Sequence, residues 1–150
     1  MANVLIVGCG DVGSRLALLL ANDGHNVFGV RRSAHSLPNV TMLQADISQP
    51  FSLPISDLDY AYIILSPDSS NQAAYEKTFI DGVSHIRAAL EPYSLKRVFF
   101  ISSTSVYGEE HGEWVNEDTP THPQGFNGQV LCAAEALVQQ YWLASVVRFG

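Results

Sequence analysis

Several marks of specialised protein classes are missing from this sequence. It has 2 cysteines, Cys9 and Cys132, and neither sits in a Cys-x-x-Cys or Cys/His cluster. The spacing therefore supports neither a metal site nor a redox pair. Positive charge is scarce: 8 Lys and Arg against 15 Asp and Glu give a net charge of −7. Arg31-Arg32 and Lys96-Arg97 are short pairs, not the clustered basic face of a nucleic-acid binder. No apolar run approaches the ~20 residues that a membrane span needs. The N-terminus lacks the basic start, apolar stretch and small-residue site of a signal peptide. The histidines (His25, His35, His85, His111 and His122) are scattered without ligand spacing and read as surface or loop residues. Together these absences lead us to expect a cytoplasmic protein that engages neither nucleic acid nor membrane.

What is present is a repeating alternation within 150 residues, a length that fits one domain spanning 1–150. Val4-Leu5-Ile6-Val7 is an unbroken apolar run, as expected of a strand buried on both faces. Val12, Leu16, Leu19 and Leu20 then follow helical spacing, and Gly24 suits a left-handed helix end. Strands are expected at Val27–Val30, Val40–Leu43, Tyr60–Leu65, Arg97–Ile101 and Leu143–Phe149. A helical stripe runs through Tyr75, Phe79, Val83, Ile86 and Leu90, and another through Val130, Ala134, Leu137 and Tyr141. Pro50, Pro54 and nearby serines make residues 47–57 a loop. Trp114 is expected to anchor the loop before the last helix, and Trp142 to pack at that helix's end. Strands alternating with helices imply right-handed crossovers and an α/β, three-layer, doubly wound parallel sheet of order 3-2-1-4-5-6.

Gly8-Cys9-Gly10-Asp11-Val12-Gly13 is a Gly-x-Gly-x-x-Gly loop between the first strand and first helix. In that context it is the dinucleotide fingerprint. Its first glycine makes the turn, the second admits the pyrophosphate, and the third lets helix and strand approach. The helix N-terminus then offers N–H groups to phosphate. An NAD site usually carries an acid at the end of the second strand, for the ribose 2′-hydroxyl. Here the chain reads Val30-Arg31-Arg32-Ser33. Two guanidiniums suit a 2′-phosphate, so NADP(H) is favoured over NAD(H). The alternative for these arginines is a solvated basic turn. Asp46 after the third strand has two readings: an adenine contact with Ile47 against the ring, or a cap of the following turn. Leu65 and Ser66, by position, line the cofactor ribose.

Beyond this loop, Ala45-Asp46-Ile47-Ser48, Phe100 through Gly108, Glu117-Asp118-Thr119-Pro120 and Glu135 complete a pattern. On these marks the whole chain resembles the NAD(P)-dependent epimerase/dehydratase group of short-chain dehydrogenases/reductases, in its atypical, YeeZ-like branch. The resemblance implies a Rossmann fold and hydride transfer on a small alcohol, carbonyl or sugar-type substrate. It places Ser103 against the reacting oxygen. It also implies a tyrosine acid/base with a lysine four residues on, and those positions fall on Asn127 and Leu131. No Tyr-x-x-x-Lys occurs in the chain. Tyr107 is the remaining nearby candidate for the acid. A binding module or redox sensor without turnover is therefore the competing expectation. In the family, the segment Arg148-Phe149-Gly150 leads on to a substrate lobe, so apolar surface is expected to lie open, with self-association or a homo-oligomer as a consequence.

Overall fold

A computed structural model describes residues 1–108 and 114–150; His111 lies outside the described residues. The strands are β1 (Asn3–Val7), β2 (Asn26–Arg31), β3 (Val40–Gln44), β4 (Tyr60–Ile63), β5 (Arg97–Ser103) and β6 (Ala144–Phe149). The helices are α1 (Asp11–Asn22), α2 (Gln72–Glu76), α3 (Gly82–Leu90) and α4 (Phe126–Tyr141). A π-helical turn, Lys77–Asp81, joins α2 to α3, and a 3₁₀ turn, Thr104–Val106, follows β5. All neighbouring strands pair in parallel in the order β3-β2-β1-β4-β5-β6, the expected doubly wound arrangement.

Side chains alternate across a strand, so β1 feeds two separate cores. Leu5 and Val7 join Ile63, Val83, Ile86, Val98, Phe100 and Val138 on the face covered by α3 and α4. Ile6 turns the other way, to Cys9, Ala17 and Val27 under α1. The stripe expected for α1 is displaced. Val12 and Leu19 are 44% and 65% exposed, and the buried residues are Gly13 and Ala17. The reason is Gly13, which must face the strand, so the inward stripe follows its phase through Leu16, Ala17, Leu20 and Ala21.

The expected stripe from Tyr75 to Leu90 is interrupted by the π turn. The wider turn keeps Phe79, Val83, Ile86 and Leu90 inward while α2 carries no buried residue. His85 is on α3, not in a loop, and its Nδ1–H donates to the Ile47 carbonyl at 2.7 Å. Trp114 is 99% exposed and packs on none of the described residues, a correction to the expected anchoring role. The Val115 beside it is the residue of that loop packed on the core. Trp142 packs edge-on to Tyr141, with centroids 5.7 Å apart. No helix among the described residues is long and apolar enough to cross a membrane.

The strand starts are tied by one residue, Asp59, through its carboxylate and its backbone carbonyl. Asp59 Oδ2 accepts from the Asn3 N–H at 2.8 Å, and the Lys96 N–H donates to the Asp59 carbonyl at 2.7 Å. This sets the bases of β1, β4 and β5 level. At the other end of β6, Arg148 donates to both Glu135 oxygens at 2.7 and 3.1 Å. Glu135 is the buried partner and Arg148 the half-buried one, so removing Arg148 would strand the carboxylate, at a cost of about 3 kcal/mol.

Candidate functional site: a cleft at the carboxyl ends of the strands

In an open parallel sheet the crevice forms where the strand order reverses, outside the carboxyl ends. Here that point lies between β1 and β4. The loops after β1, β2, β3 and β4 enclose a cleft of about 330 Å³. All eleven residues assigned to a cofactor from sequence line it: Gly8, Gly10, Asp11, Val12, Gly13, Arg31, Arg32, Asp46, Ile47, Leu65 and Ser66.

The three glycines differ in what holds them. Gly8 has φ +92°, and a Cβ there would stand 1.8 Å from the Ile64 carbonyl oxygen. Its N–H and that of Cys9 both donate to the Val30 carbonyl at 3.0 Å, so the loop is pinned to the end of β2. A Cβ on Gly13 would come 2.5 Å from the Gly8 oxygen, which is the close helix-to-loop approach. A Cβ on Gly10 would meet nothing within 4 Å. That glycine is not required by packing, and the open space beside it is what a phosphate would use. The first intrahelical bond of α1 runs from the Ser14 N–H to the Gly10 carbonyl, 2.9 Å, and Gly10 supplies no capping side chain. The N–H groups of residues 11–13 therefore have no intrahelical acceptor, and the helix dipole adds positive potential there. These features fit a dinucleotide pyrophosphate. Cys9 is buried beneath the loop, with Ser14 Oγ 3.7 Å from its sulfur, and burial pushes its thiol pKa up.

At the other end of the cleft, β2 delivers Arg31 and Arg32. Their backbone is held by β3: the Ala45 N–H donates to the Arg31 carbonyl at 3.0 Å, and Gln44 Nε2 donates to the Arg32 carbonyl at 3.1 Å. The Arg32 guanidinium is engaged by Asp68, with Nη1 to Oδ2 at 3.0 Å and Nη2 to Oδ1 at 2.9 Å. Asp46 Oδ1 accepts from the Ser48 N–H at 2.9 Å, so the structure realises the turn-capping reading. That bond, chiefly, holds its carboxyl pKa below the usual range. Ile47 is wedged against α3, where a Cβ on Gly82 would come 2.9 Å from its Cδ1.

Ser103 and Tyr107 are not among the residues lining the cleft. Ser103 ends β5 on the same edge of the sheet, and its Oγ accepts from the Ser105 N–H at 3.1 Å. Tyr107 is 7% exposed; its hydroxyl donates to the Asn116 carbonyl at 2.9 Å and accepts from Arg148 at 2.8 Å. Arg148 also lies over its ring, 5.0 Å from the centroid. Among the described residues no group of three His, Cys, Asp or Glu side chains is placed to hold a metal ion.

The sequence profile of the NAD dependent epimerase/dehydratase family matches residues 4–149. The chain belongs to that family. Protein YeeZ of Escherichia coli K12 is 27% identical over 140 residues, which cover 87% of this chain and 51% of YeeZ. An N-acetyl-alpha-D-glucosaminyl-diphospho-ditrans,octacis-undecaprenol 4-epimerase of Escherichia coli O157:H7 is 26% identical over 148 residues, covering 93% and 44% of the two chains. Among solved structures, a candidate NAD-dependent epimerase/dehydratase from Methylobacillus flagellatus superposes with a TM-score of 0.78 at 35% identity, covering 98% of this chain and 53% of that one. The chain thus spans about half the length of the curated relatives it matches.

Membership in the epimerase/dehydratase family sharpens the departures. Leu131, the position at which the resemblance leads one to expect the lysine, is 5% exposed and part of the core. Eight further residues line the cleft: Cys9, Val30, Ala45, Ser48 and Ile64 adjoin assigned positions, whereas Asp68, Lys77 and Thr78 come from segments that sequence reading did not connect to the site. Asp68 was discoverable, because the loop after β4 borders the reversal point and carries an acid two residues past Ser66. Lys77 and Thr78 had no such signal. They reach the cleft through the π turn, which helical spacing does not announce.

Proposed function

We propose that this cleft binds NADP(H), with NAD(H) as the weaker ligand, and that the chain is the NAD(P)-binding Rossmann domain, residues 1–150, of an oxidoreductase or epimerase. The observation that carries the proposal is the convergence of all eleven cofactor residues on one cleft. The choice of phosphate rests on Arg31 and Arg32, since guanidinium matches phosphate oxygens bidentately and no acid occupies the end of β2. The substrate class proposed is a small alcohol or carbonyl compound of sugar type, in keeping with the named activity of the 4-epimerase relative. Bound there, the nicotinamide supplies hydride acceptance and return. Gly8 and Gly13 fix the loop, Gly10 leaves room for the pyrophosphate, and Ser103 is the hydroxyl that would hold the reacting oxygen. The unpaired thiols Cys9 and Cys132 suit a reducing compartment, and the cytoplasm is the proposed location.

A second reading is favoured by Tyr107 and Leu131. The only tyrosine near Ser103 in sequence has its hydroxyl engaged on both sides, and the lysine position is an apolar core residue. These 150 residues contain no Tyr-x-x-x-Lys to supply a proton relay of the usual kind, and the reading is a binding module without turnover.

Titration of the purified chain with NADPH and NADH by calorimetry tests the proposal. NADPH is expected to bind more tightly, and Arg31→Ala and Arg32→Ala are each expected to weaken it about tenfold, the value of one charge-assisted contact. Binding of neither nucleotide sinks the proposal. Binding without oxidation of NADPH by any of a panel of small carbonyl compounds and keto-sugars selects the second reading.

A further inference from the structure

Arg32 follows β2, and Asp68 lies 36 residues later in the loop after β4. They meet across the mouth of the cleft, carboxylate to guanidinium, through two bonds of 3.0 and 2.9 Å. This fork-to-fork arrangement is the same one by which guanidinium grips a phosphate. Both side chains remain open to water, at 65% and 60% exposure, so the bridge is weak enough to exchange. The Asp68 carboxyl pKa is lowered, first by Arg32 and in smaller part by Lys77, so it stays charged at neutral pH. Asp68 also lies on the cleft wall beside Ser66.

Resting on the reading of this cleft as a dinucleotide site, we propose that Asp68 sets its discrimination between NADP(H) and NAD(H). The carboxylate and a ribose 2′-phosphate require the same guanidinium fork, whereas a 2′-hydroxyl does not. NADPH must therefore displace Asp68 from Arg32 and then lie near a like charge. NADH pays neither cost. The two basic residues after β2 favour the phosphorylated cofactor, and the acid after β4 holds that preference down. Asp68 is a specificity-determining residue on the wall opposite the end of β2, where an acid or an arginine usually meets the ribose 2′ group.

The test is calorimetric titration of the wild type, Asp68→Asn, Arg32→Ala and the double variant with NADPH and NADH. Asp68→Asn keeps the shape and removes the charge. It is expected to tighten NADPH by roughly three- to tenfold, the range for an exposed pair plus a like charge, and to leave NADH within about twofold. In the Arg32→Ala background most of that gain is expected to vanish, and in the wild-type background it shrinks with added salt. Matching melting temperatures check that the variants fold. An unchanged NADPH:NADH ratio in Asp68→Asn, an equal gain for both nucleotides, or a full gain without Arg32 overturns this inference while leaving the dinucleotide site standing. A wild type that binds neither nucleotide overturns the site reading and this inference with it.

Discussion

A glycine can serve the fold or the ligand, and single positions in the cleft separate the two. Gly8 serves the fold, because its φ of +92° and the Ile64 carbonyl 1.8 Å from a would-be Cβ exclude any side chain. Gly10 is not needed by the fold, because nothing stands within 4 Å of its would-be Cβ, and under the proposed cofactor reading that space belongs to the pyrophosphate. Gly8→Ala is expected to cost about 3 kcal/mol in urea unfolding, from strain plus main-chain displacement. Gly10→Ala is expected to stay within about 1 kcal/mol of wild type yet to lose nucleotide binding in the same titration. Equal loss of stability in both variants would contradict this division. The loop was legible in the sequence because its glycines mark missing side chains at fixed spacing. Asp68 and Lys77 were not, because their place in the cleft depends on loops and a π turn that bring distant segments together.

Elements were legible where burial imposes a simple period. The apolar runs that became β1, β2, β4 and β5 and the proline-broken stretch between β3 and β4 all read directly. The face of α1 did not, because its phase is set by Gly13, a residue with no hydrophobicity to register. Nor did the clamp at the strand bases, where a single acid joins three strands. The Asn3 N–H, chiefly, and Lys96 hold the Asp59 carboxyl below its usual range. A carboxyl whose folded pKa is depressed adds stability above the unfolded value of about 3.9, and loses it as pH falls through the folded value. Asp59→Asn keeps an acceptor but no charge. It is expected to melt below wild type at about pH 7, with the two melting curves converging towards about pH 2. A gap of constant size across that range would show that the charge contributes nothing.

At the scale of the whole molecule the topology followed from two rules, since parallel neighbours need crossovers and crossovers are right-handed. What those rules leave open is how evenly each face is covered. α1 packs on β1, β2 and β3, while α3 and α4 lie on the opposite face. Among the described residues, the β4–β6 half of the α1 face is left largely to its own side chains. Tyr62 stacks on Phe99 with centroids 4.6 Å apart, and register carries this face on through Ile101 to Val147 and Phe149. Leu143, Val147 and Phe149 are 65%, 41% and 47% exposed, on or beside the edge strand β6. An edge with apolar side chains and unpaired backbone groups is a template for pairing with a second copy, and lysine on such an edge opposes it. The net charge of −7 is too diffuse to guard one strand. Light scattering coupled to size-exclusion chromatography is expected to show the mass of the 150-residue chain rising with concentration. Leu143→Lys with Val147→Lys is expected to return it to a monomer without altering NADPH affinity, since neither residue lines the cleft. A wild-type chain that stays monomeric over a roughly hundredfold concentration range would mean that this face and edge, though apolar, are not sticky enough to drive association.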